Sequence, residues 1–151
     1  MTFYADTGFL LSLHLHETTS AAAARVMEKV EEPLPLTWLV SLEFRNALWL
    51  GRFRNWLTEQ ERAAAAGSFK HDLEEGRLLP AVLDIEVVTR EAERLADLFT
   101  ATVGVRTLDL LHVASALVLR CTEFLSFDKR QRAMAARAGM MVQPEAKAAV
   151  G

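Results

Sequence analysis

The chain has 151 residues, 51% of them hydrophobic and 25% charged, the size and balance of one soluble globular domain, which excludes a disordered or fibrous protein. Its 17 basic and 20 acidic residues leave a formal charge of -3, which excludes a protein that coats nucleic acid by charge alone but not an enzyme with an acidic site. Cys121 is the single cysteine, so no internal disulfide forms; the apolar run from Leu110 to Leu119 is too short to span a membrane, and the N-terminus lacks the pattern of a signal peptide, so a cytoplasmic protein is expected.

In chain order, Phe3 to Ala5 is expected as a short strand leading at once into a helix over Thr7 to His16, and Thr18 to Val30 carries a second helical pattern that stops before Pro33 and Pro35. Leu34 to Leu36 is a second strand. Thr37 caps a helix running to about Arg54, and Thr58 with Glu61 has the capping-box spacing of another that runs to about Glu75. Leu78 to Val82 is an edge strand, because Pro80 has no N–H for a ladder. Ile85 to Thr102 is an amphipathic helix closed by Gly104, and Thr107 caps the helix LDLLHVASALVLR. Phe124 to Phe127 is a buried strand, Asp128 to Ala138 a helix, and MMV, ending at Val142, a last strand. Strands and helices alternate, with helical pairs inserted, which implies an α/β fold with a parallel sheet covered on both faces. One domain over residues 1–143 is expected, and residues 144–151 carry nothing to bury and form a loose tail.

Such a sheet binds ligands at the carboxyl ends of its strands. Asp6 ends the first strand in FYADTGFLL, and Asp128 follows the strand FLSF; Glu43 lies in the second turn of the helix after the second strand, and Asp109 in the first turn of the helix after Thr107. All four therefore point toward one edge. Each has a plainer explanation by itself: Asp128 as a helix cap, Asp109 as a complement to a helix dipole, Glu43 as a solvated face residue. Asp6 has the weakest, since Asp is depleted in strands and its neighbours are apolar. Gathered together, four carboxylates repel one another, at roughly 4 kcal/mol per pair about 4 Å apart at an effective dielectric near 20, and require a cation. Oxygen ligands without a cysteine pair select Mg²⁺ or Mn²⁺, and an ion so held activates water and stabilises charge on a phosphate. Thr107 and Ser126 each stand two positions before an acid, where a hydroxyl orients a carboxylate or water, or serves a turn.

YADTGFLLSL, SLEFRNAL, RTLDLLHVASALVL and FLSFDKRQRAMAARAGMMV resemble, in order and spacing, the PIN-domain nucleases, and among them the VapC-like toxins of toxin-antitoxin pairs. The resemblance runs from Phe3 to Val142 and is most specific from Arg106 to Ala116. It implies a PIN-like three-layer sandwich and a Mg²⁺- or Mn²⁺-dependent endoribonuclease in which Asp6, Glu43, Asp109 and Asp128 match the family's acidic positions. Asp6, Asp109 and Asp128 would hold the metal, and Glu43 would complete the site or activate water. Thr107 and Ser126 match the hydroxyl positions, and Asn46, one helical turn from Glu43, matches a polar one. Where the family often has Ser or Asn two residues after the first aspartate, this chain has Gly8. The resemblance also implies an RNA substrate, a homodimer and a VapB-like antitoxin partner. Two rival readings stand beside it: an aspartate-nucleophile phosphatase, which normally needs an acid where Gly8 stands, and a non-catalytic domain that binds RNA or a partner.

Trp49, Phe53 and Trp56 form an i, i+4, i+7 stripe, expected in the core or, if exposed, as a groove for an amphipathic antitoxin segment. His112 follows Asp109 by three residues and is expected as a packed core histidine, with a bond to that carboxylate or to a phosphate as the alternative; His14 and His16 are structural or surface residues. Arg45, Arg52, Arg54, Arg106, Lys129, Arg130 and Arg132 are candidates for phosphate contact, each more simply explained as a solvated surface charge.

Overall fold

The computed structural model describes residues 1–146; residues 147–151, most of the expected tail, lie outside the described residues. The elements are β1 (Phe3–Ala5), α1 (Thr7–His14), α2 (Ser20–Met27), β2 (Leu34–Leu36), α3 (Trp38–Phe53), α4 (Glu59–Glu74), β3 (Leu78–Pro80), α5 (Ile85–Leu95), α6 (Ala101–Val103), α7 (Thr107–Val118), β4 (Glu123–Leu125), α8 (Lys129–Arg137) and β5 (Met141–Gln143). A wider turn over Ala96–Thr100 joins α5 to α6, so the single helix expected there continues through a change of pitch. It closes at Gly104, whose φ of 72° is a left-handed conformation that glycine adopts without strain.

All strand pairs are parallel, but the sheet is two ladders, β1-β4-β5 and β2-β3, with β1 and β2 in contact and no ladder between them. Pro80 ends β3 at the edge, where its missing N–H costs nothing. The chain thus builds outward from β1 through β2 and β3, then crosses back to add β4 and β5 on the other side. The carboxyl ends of β1 and β4 flank the point where that direction reverses. Helices α1 to α4 pack on one another, as do α5 to α8, and the sheet lies between them in an α/β sandwich.

Register fixes the site. Tyr4 pairs with Phe124 and Ala5 with Leu125, so the next residues on each strand, Asp6 and Ser126, emerge side by side. The ladder is continued by the Asp6 backbone N–H, which donates to the Leu125 carbonyl at 3.1 Å. Beneath it Tyr4 stacks on Phe124 with ring centroids 5.5 Å apart, and Phe9 stacks on Phe127 at 5.6 Å. Tyr4, Phe9 and Phe124 are fully buried, and each such ring stabilises the fold by roughly 1.5–3 kcal/mol through removal from water.

One expectation is corrected, one open alternative is settled and one expectation is refined. Thr107 is the first residue of α7 rather than its cap: the Asp109 carboxylate reaches back to accept from the Arg106 backbone N–H at 2.9 Å, and Thr107 faces solvent. An acid in the third helical position satisfies an orphan donor as well as a threonine cap does. The Trp49, Phe53 and Trp56 stripe is exposed, because α3 buries its opposite stripe, Val40, Phe44 and Leu48, against the core. The sheet, expected as one, is divided at β1 and β2.

Candidate active site

Asp6 serves first as the cap of α1, accepting from the Phe9 backbone N–H at 2.7 Å through Oδ1. Its other oxygen, Oδ2, accepts from Ser126 Oγ at 2.5 Å. The residue is only 1% exposed, and burial pushes its carboxyl from 3.8 up to about 6. The hydrogen bonds from Ser126 and Phe9 and the nearby His112 pull the other way, and the Asp128 charge adds to the rise. Ser126 Oγ in turn accepts from the Asp128 backbone N–H at 3.0 Å, so one hydroxyl links the first acid to the backbone of the last. Asp128 caps α8, accepting from the backbone N–H groups of Arg130 and Gln131 through a single oxygen, Oδ1.

Glu43 comes from the second turn of α3, whose start is fixed by Thr37 accepting from the Val40 backbone N–H. Its Oε1 accepts from Thr7 Oγ1 at 2.8 Å and lies 2.5 Å from His112 Nε2. His112 Nδ1 lies 3.0 Å from the Tyr4 hydroxyl. Partial burial of Glu43 lifts its carboxyl, but the hydrogen bonds from His112 and Thr7 and the imidazole charge outweigh it, and the net shift is downward. Two carboxylates of one site are thereby pushed apart, Asp6 upward and Glu43 downward, which is how a site assigns different duties to like groups.

Asp6, Glu43, Asn46 and Asp128 line one open cleft of about 550 Å³, together with Thr7, Gly8, His112 and Gln131. Asp109 is buried and does not line it, its Oδ2 being engaged by Arg106 N–H; Thr107 lies on the exposed first turn of α7. Ser126 is fully buried; its hydroxyl donates to the Asp6 carboxylate, and from Asp128 it accepts the backbone N–H rather than orienting the carboxylate. Among the described residues neither Asp6 nor Asp128 pairs with a Lys or Arg. In chemical type the set suits a hard divalent cation: its donors are oxygens, and one is a buried carboxylate with no Lys or Arg in a salt bridge to its ionised form among the described residues. Among the described residues no three His, Cys, Asp or Glu side chains are gathered into a ligand cluster, so Asp6, Glu43 and Asp128 share a cleft rather than a coordination sphere.

Thr7 is the site residue that the sequence did not single out, while His112 is buried as expected but bonds at the cleft. Thr7 adjoins Asp6, and its one mark is a hydroxyl at the first position of a helix that leaves a strand with an acid. The three-residue spacing from Asp109 pointed His112 at the wrong carboxylate, since its partner is 69 residues away on α3. Arg132, a candidate for phosphate, instead donates to the carbonyls of Ser126 and Pro144, both at 2.7 Å, tying the end of β4 to the chain leaving β5.

The structure resembles that of Mycobacterium tuberculosis VapC20, described as a sarcin-ricin loop cleaving toxin, with a TM-score of 0.67 and 14% identity over 93% of this chain and 97% of that one. It also resembles VapBC2 of Rickettsia felis bound to a DNA fragment from the promoter, with a TM-score of 0.65 and 11% identity over 95% and 98%. FitAcB of Neisseria gonorrhoeae gives a TM-score of 0.61 and 16% identity over 93% and 96%. No curated protein matches the chain. At these identities the likeness establishes the fold alone. The family profile described as PIN domain matches residues 3–137, nearly the whole length, and the chain belongs to the PIN domain family.

Proposed function

We propose that this protein is a divalent-metal-dependent endoribonuclease, the toxin of a toxin-antitoxin pair, working in the cytoplasm. The observation that carries the reading is Asp6: a buried carboxyl, raised to about 6, at the cleft that Glu43 and Asp128 also line, with no Lys or Arg in a salt bridge to it among the described residues. A fold tolerates such a group where function needs it. Asp6 and Asp128 would hold Mg²⁺ or Mn²⁺, with Asp109 as a third ligand once its carboxylate turns from the Arg106 N–H toward the cleft, and the bound ion would supply activation of water and neutralise charge on the phosphate. Glu43, ionised and fixed by two donors, orients water against the phosphodiester. Asn46, at the cleft mouth, offers an amide to the RNA. Ser126 keeps Asp6 ionised and aimed. Thr107, solvent-facing on the first turn of α7, is left with at most a contact to bound RNA.

VapC20 is described as cleaving the sarcin-ricin loop, which supports RNA as the substrate class. VapBC2 of Rickettsia felis and VapBC-1 of Haemophilus influenzae support a VapB-like antitoxin as partner. A homodimer belongs to the same reading. The phosphatase alternative loses ground at Gly8, where it needs an acid and the cleft has only backbone. The test is cleavage of RNA by the purified protein with Mg²⁺ or Mn²⁺. Asp6→Asn and EDTA are each expected to abolish it, and undiminished cleavage in either would overturn the reading.

A further inference from the structure

We propose that His112 is a positioning residue for Glu43, holding the carboxylate by Oε1 so that Oε2 is the oxygen presented to the cleft. The proposal rests on the nuclease reading for its chemistry and on the apo structure for its geometry. A carboxylate only accepts, so the proton between Glu43 Oε1 and His112 Nε2, 2.5 Å apart, belongs to the ring. When the ring is neutral its acceptor is Nδ1, and there the Tyr4 hydroxyl, 3.0 Å away, donates. Tyr4 is held by its stack on Phe124 and meets the imidazole edge to face, with centroids 6.1 Å apart. Both Tyr4 and His112 are buried, so the tautomer is set by protein and not by water.

Thr7 Oγ1 donates to the same oxygen. Residues from β1, α1 and α7 thus converge on one atom of a side chain from α3, and among the described residues no hydrogen bond reaches Oε2. His112 crosses 69 residues of sequence to a half-buried acid that lines the cleft with Asp6 and Asp128. Pinning Oε1 removes the rotamer freedom of a flexible glutamate before substrate arrives, and Oε2 accepts a hydrogen bond from the attacking water in a fixed direction.

The first measurement is ¹⁵N NMR of the histidine rings in the metal-free protein at about pH 8, above the ordinary imidazole range. The expected result is His112 as the Nε2–H tautomer, with a downfield proton that moves upfield in Glu43→Ala; a ring protonated at Nδ1 overturns the proposal. The second is RNA cleavage by His112→Leu and His112→Gln, both checked for fold by circular dichroism. His112→Leu is expected to lower kcat about 10- to 100-fold with KM within about twofold, the usual effect of removing a group that orients a site residue. His112→Gln, whose amide N–H reaches the position of Nε2, is expected to recover most of that loss. A folded leucine variant with wild-type kcat, a loss confined to KM, or equal loss in both variants overturns the proposal. Should wild type cleave no RNA with either metal, the nuclease reading fails and the tautomer alone decides this one.

Discussion

Asp6 is ionised at neutral pH at the expense of the fold. Its carboxyl titrates near 6 in the folded chain against 3.8 in the free residue, so the folded state binds this proton more tightly than the unfolded state does. Stability from Asp6 is therefore full below about 4 and is lost as pH rises through 6, a loss of roughly 3 kcal/mol at pH 7 in the metal-free protein. Asp6→Asn should raise the thermal midpoint at pH 7, and the gain should shrink between about 6 and 4 and vanish below; a midpoint that falls at pH 7 contradicts the assignment. Cleavage, which needs the ionised form, should decline as pH falls, with a midpoint below about 6 because a bound cation favours the carboxylate. Ser126→Ala removes the donor at Asp6 Oδ2 and the acceptor of Asp128 N–H. It should cost about 1–3 kcal/mol, and because the lost bond favoured the carboxylate, the acidic limb of the pH-activity profile should move to higher pH.

At the scale of elements, several helix starts were legible because their capping residues act within three positions: Thr37 on Val40, Thr58 on Glu61, Asp128 on Gln131. The acids at strand ends were legible for a related reason, since each stands between an apolar strand and the helix it opens. What joins them was not. Ser126 meets Asp6 across 120 residues because of the β1–β4 register, and no spacing rule reaches that far. Asp109 shows the converse, a residue matched to the acidic set whose visible bond is the local one to Arg106. Gly8, the departure from the family pattern, lies in the first turn of α1, where an added Cβ would meet only Asp6 Oδ1, at 3.7 Å, an ordinary contact. Gly8→Ser should therefore fold, raise the thermal midpoint by about 1–2 °C through helix propensity, and retain cleavage. A drop in the midpoint would mean that the turn needs glycine for a reason the backbone does not display.

For the molecule as a whole, the same apolar period describes a buried helix face and a docking face, which is why the Trp49, Phe53 and Trp56 stripe was not decided by sequence. Phe53 is 83% exposed, and Arg62 and Arg54 lie over the rings of Trp49 and Trp56 at 4.1 and 4.9 Å from the centroids. Exposed aromatic clusters of this kind mark partner surfaces. With Phe53→Ser and Trp56→Ser combined, stability should change by less than about 1 kcal/mol and cleavage should persist, while affinity for the cognate antitoxin, read by titration calorimetry, should fall tenfold or more. Unchanged affinity would remove the stripe from the interface.

The distribution of indole rings has a practical consequence. The chain has three tryptophans, and they are 44%, 52% and 71% exposed at Trp38, Trp49 and Trp56. All already meet solvent in the folded state, so denaturation should scarcely shift their emission while circular dichroism registers the full transition. The intrinsic fluorescence of this protein is thus a weak gauge of folding and a sensitive one of whatever covers α3. A blue shift on mixing would report a bound partner without any label.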